Sequence, residues 1–267
     1  MKLLPAFILP VALCASVLFD LAAAQAIPLP RPRPDQAPGA PPPAAQPPEA
    51  SEPEEPPPPS ACRLRLTTEL AVAPSLPAVV GRGECGVADG VRLEAVWLRD
   101  KTRVALTPPA IVRCTFAEAI VQWVREDVAP AARALGGPLK SLDNYAAYDC
   151  RGRNRVAGAK LSEHGKANAL DIRSVKLANG TLLGLTDPQV AKDFRLGLRK
   201  STCARFTTVL GPGSDGYHED HVHVDLAERA GGHRLCHWEV REPGEEPSAP
   251  VPLPVPRPAS ANHDGND

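Results

Sequence analysis

His218-Glu-Asp220-His221-Val222-His223-Val224-Asp225 alternates polar and apolar side chains with the period of a β-strand. Successive side chains of a strand point to opposite faces, so His221, His223 and Asp225 share one face and Val222 and Val224 the other. The valines require a hydrophobic core on their side, and the polar trio marks the other side for chemistry. Upstream, Ser162-Glu-His164-Gly-Lys-Ala-Asn-Ala-Leu-Asp171-Ile172 offers an imidazole and a carboxylate seven residues apart. That is enough chain to turn back on itself and bring both groups to one point.

Imidazole nitrogen and carboxylate oxygen suit Zn2+, and a catalytic zinc keeps three protein ligands and leaves its fourth position to water. His164, Asp171 and His223 form such a set. A water held there needs a base within reach. His221, two residues before His223 on the same strand face, is placed for that work, and His218 could assist. Asp225, together with Asp220, would orient the imidazoles from behind. A structural zinc would instead recruit a fourth protein ligand, for instance His221. A Ser-His-Asp hydrolase using Ser162 has the residue types but lacks a Gly-x-Ser-x-Gly elbow, and Ser162 is better read as orienting the loop that carries His164. His233, His237 and His263 stand outside both motifs and read as ordinary polar positions.

Ser-x-His, then Ala-x-Asp-Ile, then a later His-x-His resembles the zinc peptidases that include D-alanyl-D-alanine carboxypeptidases and dipeptidases and the penicillin-insensitive murein endopeptidases. In that group the first His, the Asp seven residues on and the last His bind zinc, which corresponds to His164, Asp171 and His223. The string from His218 to Val224 is most similar to the murein endopeptidase version, where histidines stand in place of a Glu three residues before the last ligand. Position 220 is Asp rather than Glu, so His221, His218 and Asp220 all remain open as the base. Ala167 stands where the murein peptidases usually carry Gly. The resembling peptidases hold a substrate carboxylate with an Arg from the loop before the metal motif, which points to Arg151 or Arg153, since guanidinium forks pair bidentately with carboxylates. Cys150-Arg-Gly-Arg-Asn154, residues 161–172, Phe206-Thr-Thr-Val-Leu-Gly-Pro212 and the His cluster also resemble the bacterial extensin-like C-terminal domain family, from about Cys85 to Asp225. The resemblances imply a secreted Zn2+-dependent hydrolase acting on amide bonds of peptidoglycan stem or cross-link peptides, periplasmic or cell-wall associated. The alternative is a non-catalytic wall-binding or structural module with a structural or vestigial zinc site.

The ends of the chain differ in character from this middle. Lys2 precedes an apolar run from Leu3 to Leu21, and small residues at Ala24 and Ala26 fit a signal-peptidase site, so residues 1–26 read as a signal peptide. Pro5, Pro10 and Asp20 spoil a stable membrane anchor, and Leu13 before Cys14 argues against a lipid one. Residues 27–60 form a Pro-rich linker and residues 242–267 a similar tail; both are too poor in apolar surface to fold and read as disordered arms. Residues 61–241 remain for one domain with a single core. A net charge of -1, a pI near 6.7 and 4% aromatic residues argue against nucleic acid or an anionic membrane as the main partner. Oligomeric state is left open. Of seven cysteines, Cys14 leaves with the signal peptide; Cys62, Cys85, Cys114, Cys150, Cys203 and Cys236 read as disulfides, since none has Cys-x-x-Cys spacing. Cys203 with Cys236 and Cys114 with Cys150 are the expected pairs.

Within the domain, residues 91–98 and 103–106 read as strands joined by a turn at Asp100-Lys101. Thr115-Phe-Ala-Glu118 has the form of a capping box, opening a helix with Ala119, Ile120, Trp123 and Val124 on its apolar stripe; Pro130 should kink or end it, and Gly136-Gly137 ends it. Residues 139–148 read as a strand, Asn179-Gly180 as a hairpin turn, and Asp187-Pro188 as the start of a helix burying Phe194 and Leu198. Residues 207–210 form another strand. Residues 211–216 fit Gly-x-Gly-x-x-Gly, but a strand follows instead of a helix, so they read as a loop over the site rather than a dinucleotide cradle. The expected fold is α+β: a small antiparallel sheet with packed helices carries the zinc site, disulfides brace it, and disordered Pro-rich arms flank it.

Overall fold

The computed structural model describes residues 59–246, so the expected signal peptide and nearly all of both Pro-rich arms lie outside the described residues. A short helix α1 (Ala61–Arg65) leads to β1 (Ala71–Val72), a small hairpin of β2 (Val79–Val80) and β3 (Gly86–Val87), and the long pair β4 (Gly90–Trp97) and β5 (Arg103–Arg113). Helix α2 (Cys114–Trp123) runs through a π-helical turn at Val124–Val128 into α3 (Ala129–Ala134), and β6 (Leu139–Ala146) follows. Then come β7 (Ala169–Leu177), β8 (Leu182–Gly184), α4 (Lys192–Arg205), β9 (Thr208–Leu210), β10 (Val222–Asp225) and β11 (Leu235–His237).

Nine strands form one sheet in the order β1-β4-β5-β6-β7-β10-β9-β11, with β8 added on β7. The sheet is neither small nor purely antiparallel: β5 runs parallel to β6, and β9 to β11. The connection explains the first parallel pair. The chain leaves β5 into α2 and α3 and returns as β6, and a helical crossover permits parallel neighbours where a tight turn enforces antiparallel ones.

The hairpin at Asp100-Lys101 is as expected, with Val96 opposite Val104 and Trp97 opposite Arg103. Phe116, Ile120 and Trp123 of α2, Phe194 and Leu198 of α4, and Phe206 form one core with Leu93, Leu106, Leu142, Leu170, Ile172, Val222 and Val224 of the sheet. Trp123 is a packing residue: its Nε1–H donates to Thr202 Oγ1 at 3.1 Å and its ring meets Phe206 edge-on at 5.9 Å. The helix starts differ from expectation. Helix α2 opens at Cys114, so Thr115 lies inside it and caps nothing, while Glu118 pairs with Arg65 of α1 at 2.8 Å. Pro130, which lacks an N–H, does not end the helix because the π turn just before it relaxes the ladder; the helix stops at Leu135, before Gly136 at φ +105°. Helix α4 starts at Lys192, because Asp187 accepts the Gln189 N–H at 2.8 Å and closes a separate turn first.

Three disulfides brace this domain: Cys62–Cys114, Cys85–Cys150 and Cys203–Cys236. The third is as expected. The expected Cys114–Cys150 pair is not formed, since Cys114 opens α2 against α1, which brings Cys62 to it, and Cys150 lies beside the β2–β3 hairpin that carries Cys85.

Candidate metal centre

Strand β10 lies between β7 and β9, with His223 opposite Asp171, Val224 opposite Leu170 and Val222 opposite Ile172. The apolar members of these pairs enter the core, which turns Asp171 and His223 to the other face. The alternation expected for His223 and its valines is therefore the one observed. His164 arrives from the short turn Glu163–Lys166, whose first N–H groups are capped by Ser162: its Oγ accepts the His164 N–H at 3.4 Å. The Arg113 side chain, at the end of β5, donates to Lys166 O at 3.2 and 3.3 Å and pins the far end of the same turn. Ala167 then takes the left-handed conformation at φ +52°.

Three buried atoms converge. His164 Nε2 lies 3.1 Å from His223 Nδ1 and 3.2 Å from Asp171 Oδ1, and His223 Nδ1 lies 2.8 Å from the same oxygen. Each ring spends its proton outward: His164 Nδ1–H donates to Ala147 O at 2.6 Å, and His223 Nε2–H to Asp225 Oδ2 at 3.0 Å. Both inward nitrogens of the neutral rings are then lone pairs aimed at a carboxylate, an array of acceptors that repel one another unless a cation sits among them. Metal-binding histidines show this outward bond to a carbonyl or carboxylate. In the protein without metal a proton serves: burial disfavours a charged His223, but hydrogen bonds to Asp171 and Asp225 outweigh it and raise the pKa to about 9. Burial likewise works against the Asp171 carboxylate, yet His164 and His223 hold it well below the usual range.

The other named histidines border this trio. His221 Nδ1–H donates to Asp220 Oδ1 at 2.7 Å, which turns Nε2 inward to 3.7 Å from Asp171 Oδ2. His218 Nδ1–H donates to Asp215 Oδ1 at 2.7 Å, and its ring lies 5.1 Å from that of His221 and 5.6 Å from that of His223. Asp220 has a side chain 64% exposed and reaches the trio only through His221. In the loop before the motif, Arg151 and Arg155 both pair with Asp149, at 3.0 and 2.6 Å. Arg153 is exposed and makes no side-chain hydrogen bond among the described residues.

Sequence reasoning missed Asp215, which ties two loops over the site together by accepting His218 on one oxygen and Asn154 Nδ2 on the other at 3.1 Å. Burial raises its pKa, but the His218 hydrogen bond leads the contacts that bring it to about 2. The three-residue step from Asp215 to His218 was the available signal. Tyr145 and Arg173 were also missed. Tyr145 stands 5.1 Å from His221, ring to ring, and Arg173 follows Asp171 by two residues on β7, the step that keeps a side chain on the same face.

The family model described as extensin-like protein C-terminus matches residues 60–237. The chain belongs to this family. The match begins at the residue that caps α1 and ends with β11, so the extensin-like C-terminal domain contains the whole sheet, the three disulfides and both motifs of the site. No curated protein and no solved structure matches the chain. Three disulfides in this extensin-like domain fit an oxidising, extracytoplasmic environment. Among the described residues no helix is long and apolar enough to cross a membrane.

Proposed function

We propose that this extensin-like domain is a Zn2+-dependent hydrolase of amide bonds in peptidoglycan stem or cross-link peptides, working in a periplasm or cell wall. The observation that supports it is the convergence of His164 Nε2, His223 Nδ1 and Asp171 Oδ1, with the outer proton of each imidazole tied down. Two imidazoles and one carboxylate suit zinc better than calcium or magnesium, which favour all-oxygen sets. When bound, zinc supplies Lewis acidity, acidifying water and polarising a carbonyl. His221, braced by Asp220, points Nε2 inward and is positioned to take a proton; His218, braced by Asp215, is the neighbouring imidazole that can return one to a leaving amine. Arg153, whose guanidinium has no partner among the described residues, is the member of the Arg151–Arg153 pair suited to hold a substrate carboxylate. The substrate class rests on the resemblance of Ser162-x-His164, Ala169-x-Asp171 and His221-x-His223 to murein zinc peptidases.

One contact favours a second reading. His221 Nε2, at 3.7 Å from Asp171 Oδ2, is near enough to join as a fourth ligand, which would make the zinc structural and the protein a wall-binding module. Elemental analysis of the full chain beside His164→Ala, His223→Ala and His221→Ala separates the two. The hydrolase retains zinc in His221→Ala and loses muropeptide cleavage by roughly 100-fold or more. The structural module loses zinc in all three variants, and a wild-type protein that takes up no zinc refutes both.

A further inference from the structure

Arg173 is the side chain beside the trio that the proposed chemistry leaves unused. It rises from the same face of β7 as Asp171, about 7 Å further along the strand. Its guanidinium lies over the ring of Tyr145, with Cζ 3.5 Å from the centroid, and Tyr145 in turn packs against His221. A guanidinium carries five N–H donors. Among the described residues the side chain of Arg173 makes a single hydrogen bond, from Nη2 to Asp220 Oδ2 at 3.2 Å, and both partners of that pair are exposed, 42% and 64%. Tyr145 is itself 46% exposed.

We propose that Arg173, held over Tyr145, is a subsite for a carboxylate of the ligand at the His164–Asp171–His223 centre. The aromatic platform fixes the plane of the guanidinium and leaves its edge to solvent, so the fork is oriented before a ligand arrives. Exposed ion pairs are weak, whereas bidentate guanidinium–carboxylate pairs are among the strong ones, so a ligand carboxylate displaces Asp220 from Arg173 while Asp220 keeps its other oxygen on His221. The spacing fits a carboxylate borne by a residue adjacent to the amide at the centre, given about 3.8 Å between successive Cα atoms. Both a C-terminal carboxylate and an acidic side chain supply that chemistry. The subsite is distinct from Arg151 and Arg153, which belong to the loop that Asn154 joins to Asp215. Only the identity of the ligand as a wall peptide rests on the hydrolase reading.

The test is a binding titration on the full chain, as purified and again after chelation, following the Arg173 Nε–H resonance. The probes are N-acetyl-D-alanyl-D-alanine, its C-terminal carboxamide, and N-acetyl-D-alanyl-D-glutamate amidated at its terminal carboxyl. At least one carboxylate probe is expected to bind about tenfold or more tightly than the carboxamide. Preference for the first assigns the subsite to a chain terminus, and preference for the third to an acidic side chain. Arg173→Met is expected to abolish the preference, Arg173→Lys to reduce it, and Asp220→Asn to strengthen it by removing the competing anion. Equal binding of all probes by the wild type, a preference that survives in Arg173→Met, or weaker carboxylate binding in Asp220→Asn overturns the proposal. A protein that shows the preference but cleaves nothing keeps the subsite and refutes the hydrolase. One that cleaves muropeptides but binds acid and carboxamide alike does the reverse.

Discussion

Replacing Asp225 by Asn would change one atom and disturb the centre through the proton of His223. Both carboxylate oxygens are engaged: Oδ2 accepts His223 Nε2–H at 3.0 Å and Oδ1 accepts the Ala227 N–H at 2.9 Å. Asn offers one oxygen and one NH2. With its oxygen kept on Ala227, the amide N–H faces His223 Nε2, and the imidazole must move its proton to Nδ1, into the position the metal needs. Turned the other way, it sets N–H against the Ala227 N–H in a residue only 4% exposed. Loss of such an orienting partner typically weakens metal binding by about 10- to 100-fold, or about 1.4–2.7 kcal/mol. Zinc affinity of the full chain, measured by competition with a chromophoric chelator, is expected to fall by that factor in Asp225→Asn. Asp220→Asn, which touches His221 and Arg173 but none of the three converging atoms, should leave it near the wild-type value. Zinc bound by Asp225→Asn within about twofold of wild type would refute the claim that Asp225 sets the His223 tautomer.

Two further outcomes are open to direct measurement. Asp215 is held at about 2, below its ordinary 3.8, so its stabilising contribution is complete above pH 3.8 and is lost as pH falls through about 2. Asp215→Asn should therefore melt below wild type at neutral pH, with the difference closing across that acid window; a constant difference down to pH 2 would contradict the linkage. A Cβ at Gly211 would stand 2.7 Å from Trp238 Cδ1, and Trp238 is 1% exposed, so Gly211→Ala should cost about 1–3 kcal/mol in denaturant unfolding. An unchanged midpoint would show that Trp238 moves freely.

Local patterns were legible in the sequence wherever one short segment determined them. The alternation from His221 to Asp225 fixed which side chains of β10 meet the core, and the spacing from His164 to Asp171 brought both into one cluster with His223. Ser162 accepts the N–H of His164, two residues on, within the turn that they share. Features that depend on distant partners were not legible. Glu118 fits a capping box by sequence, but Arg65, from a separate helix, takes it. Cys114 is nearer in sequence to Cys150 than to Cys62, yet the packing of α1 on α2 decides its partner. The parallel pairing of β5 with β6 follows from the α2–α3 crossover, and Tyr145 gains its place beside the centre through the pairing of β6 with β7. Ala167, in the left-handed conformation that glycine adopts freely, marks a turn that its residue type gave no reason to expect.

The placing of the cysteines also bears on how this domain responds to force. Cys62 is the second residue of α1 and Cys236 the middle residue of β11, so a covalent tie stands close to each end of the folded unit. Tension entering from the N-terminal side passes through Cys62–Cys114 into α2, and tension from the C-terminal side through Cys203–Cys236 into α4, the two helices that share the core. Strand β10 lies inside the loop closed by Cys203–Cys236, whereas β7 lies in the chain between Cys150 and Cys203, which no bridge bypasses. Tension across the domain therefore reaches the centre through β7, which carries Asp171, and bypasses β10, which carries His223.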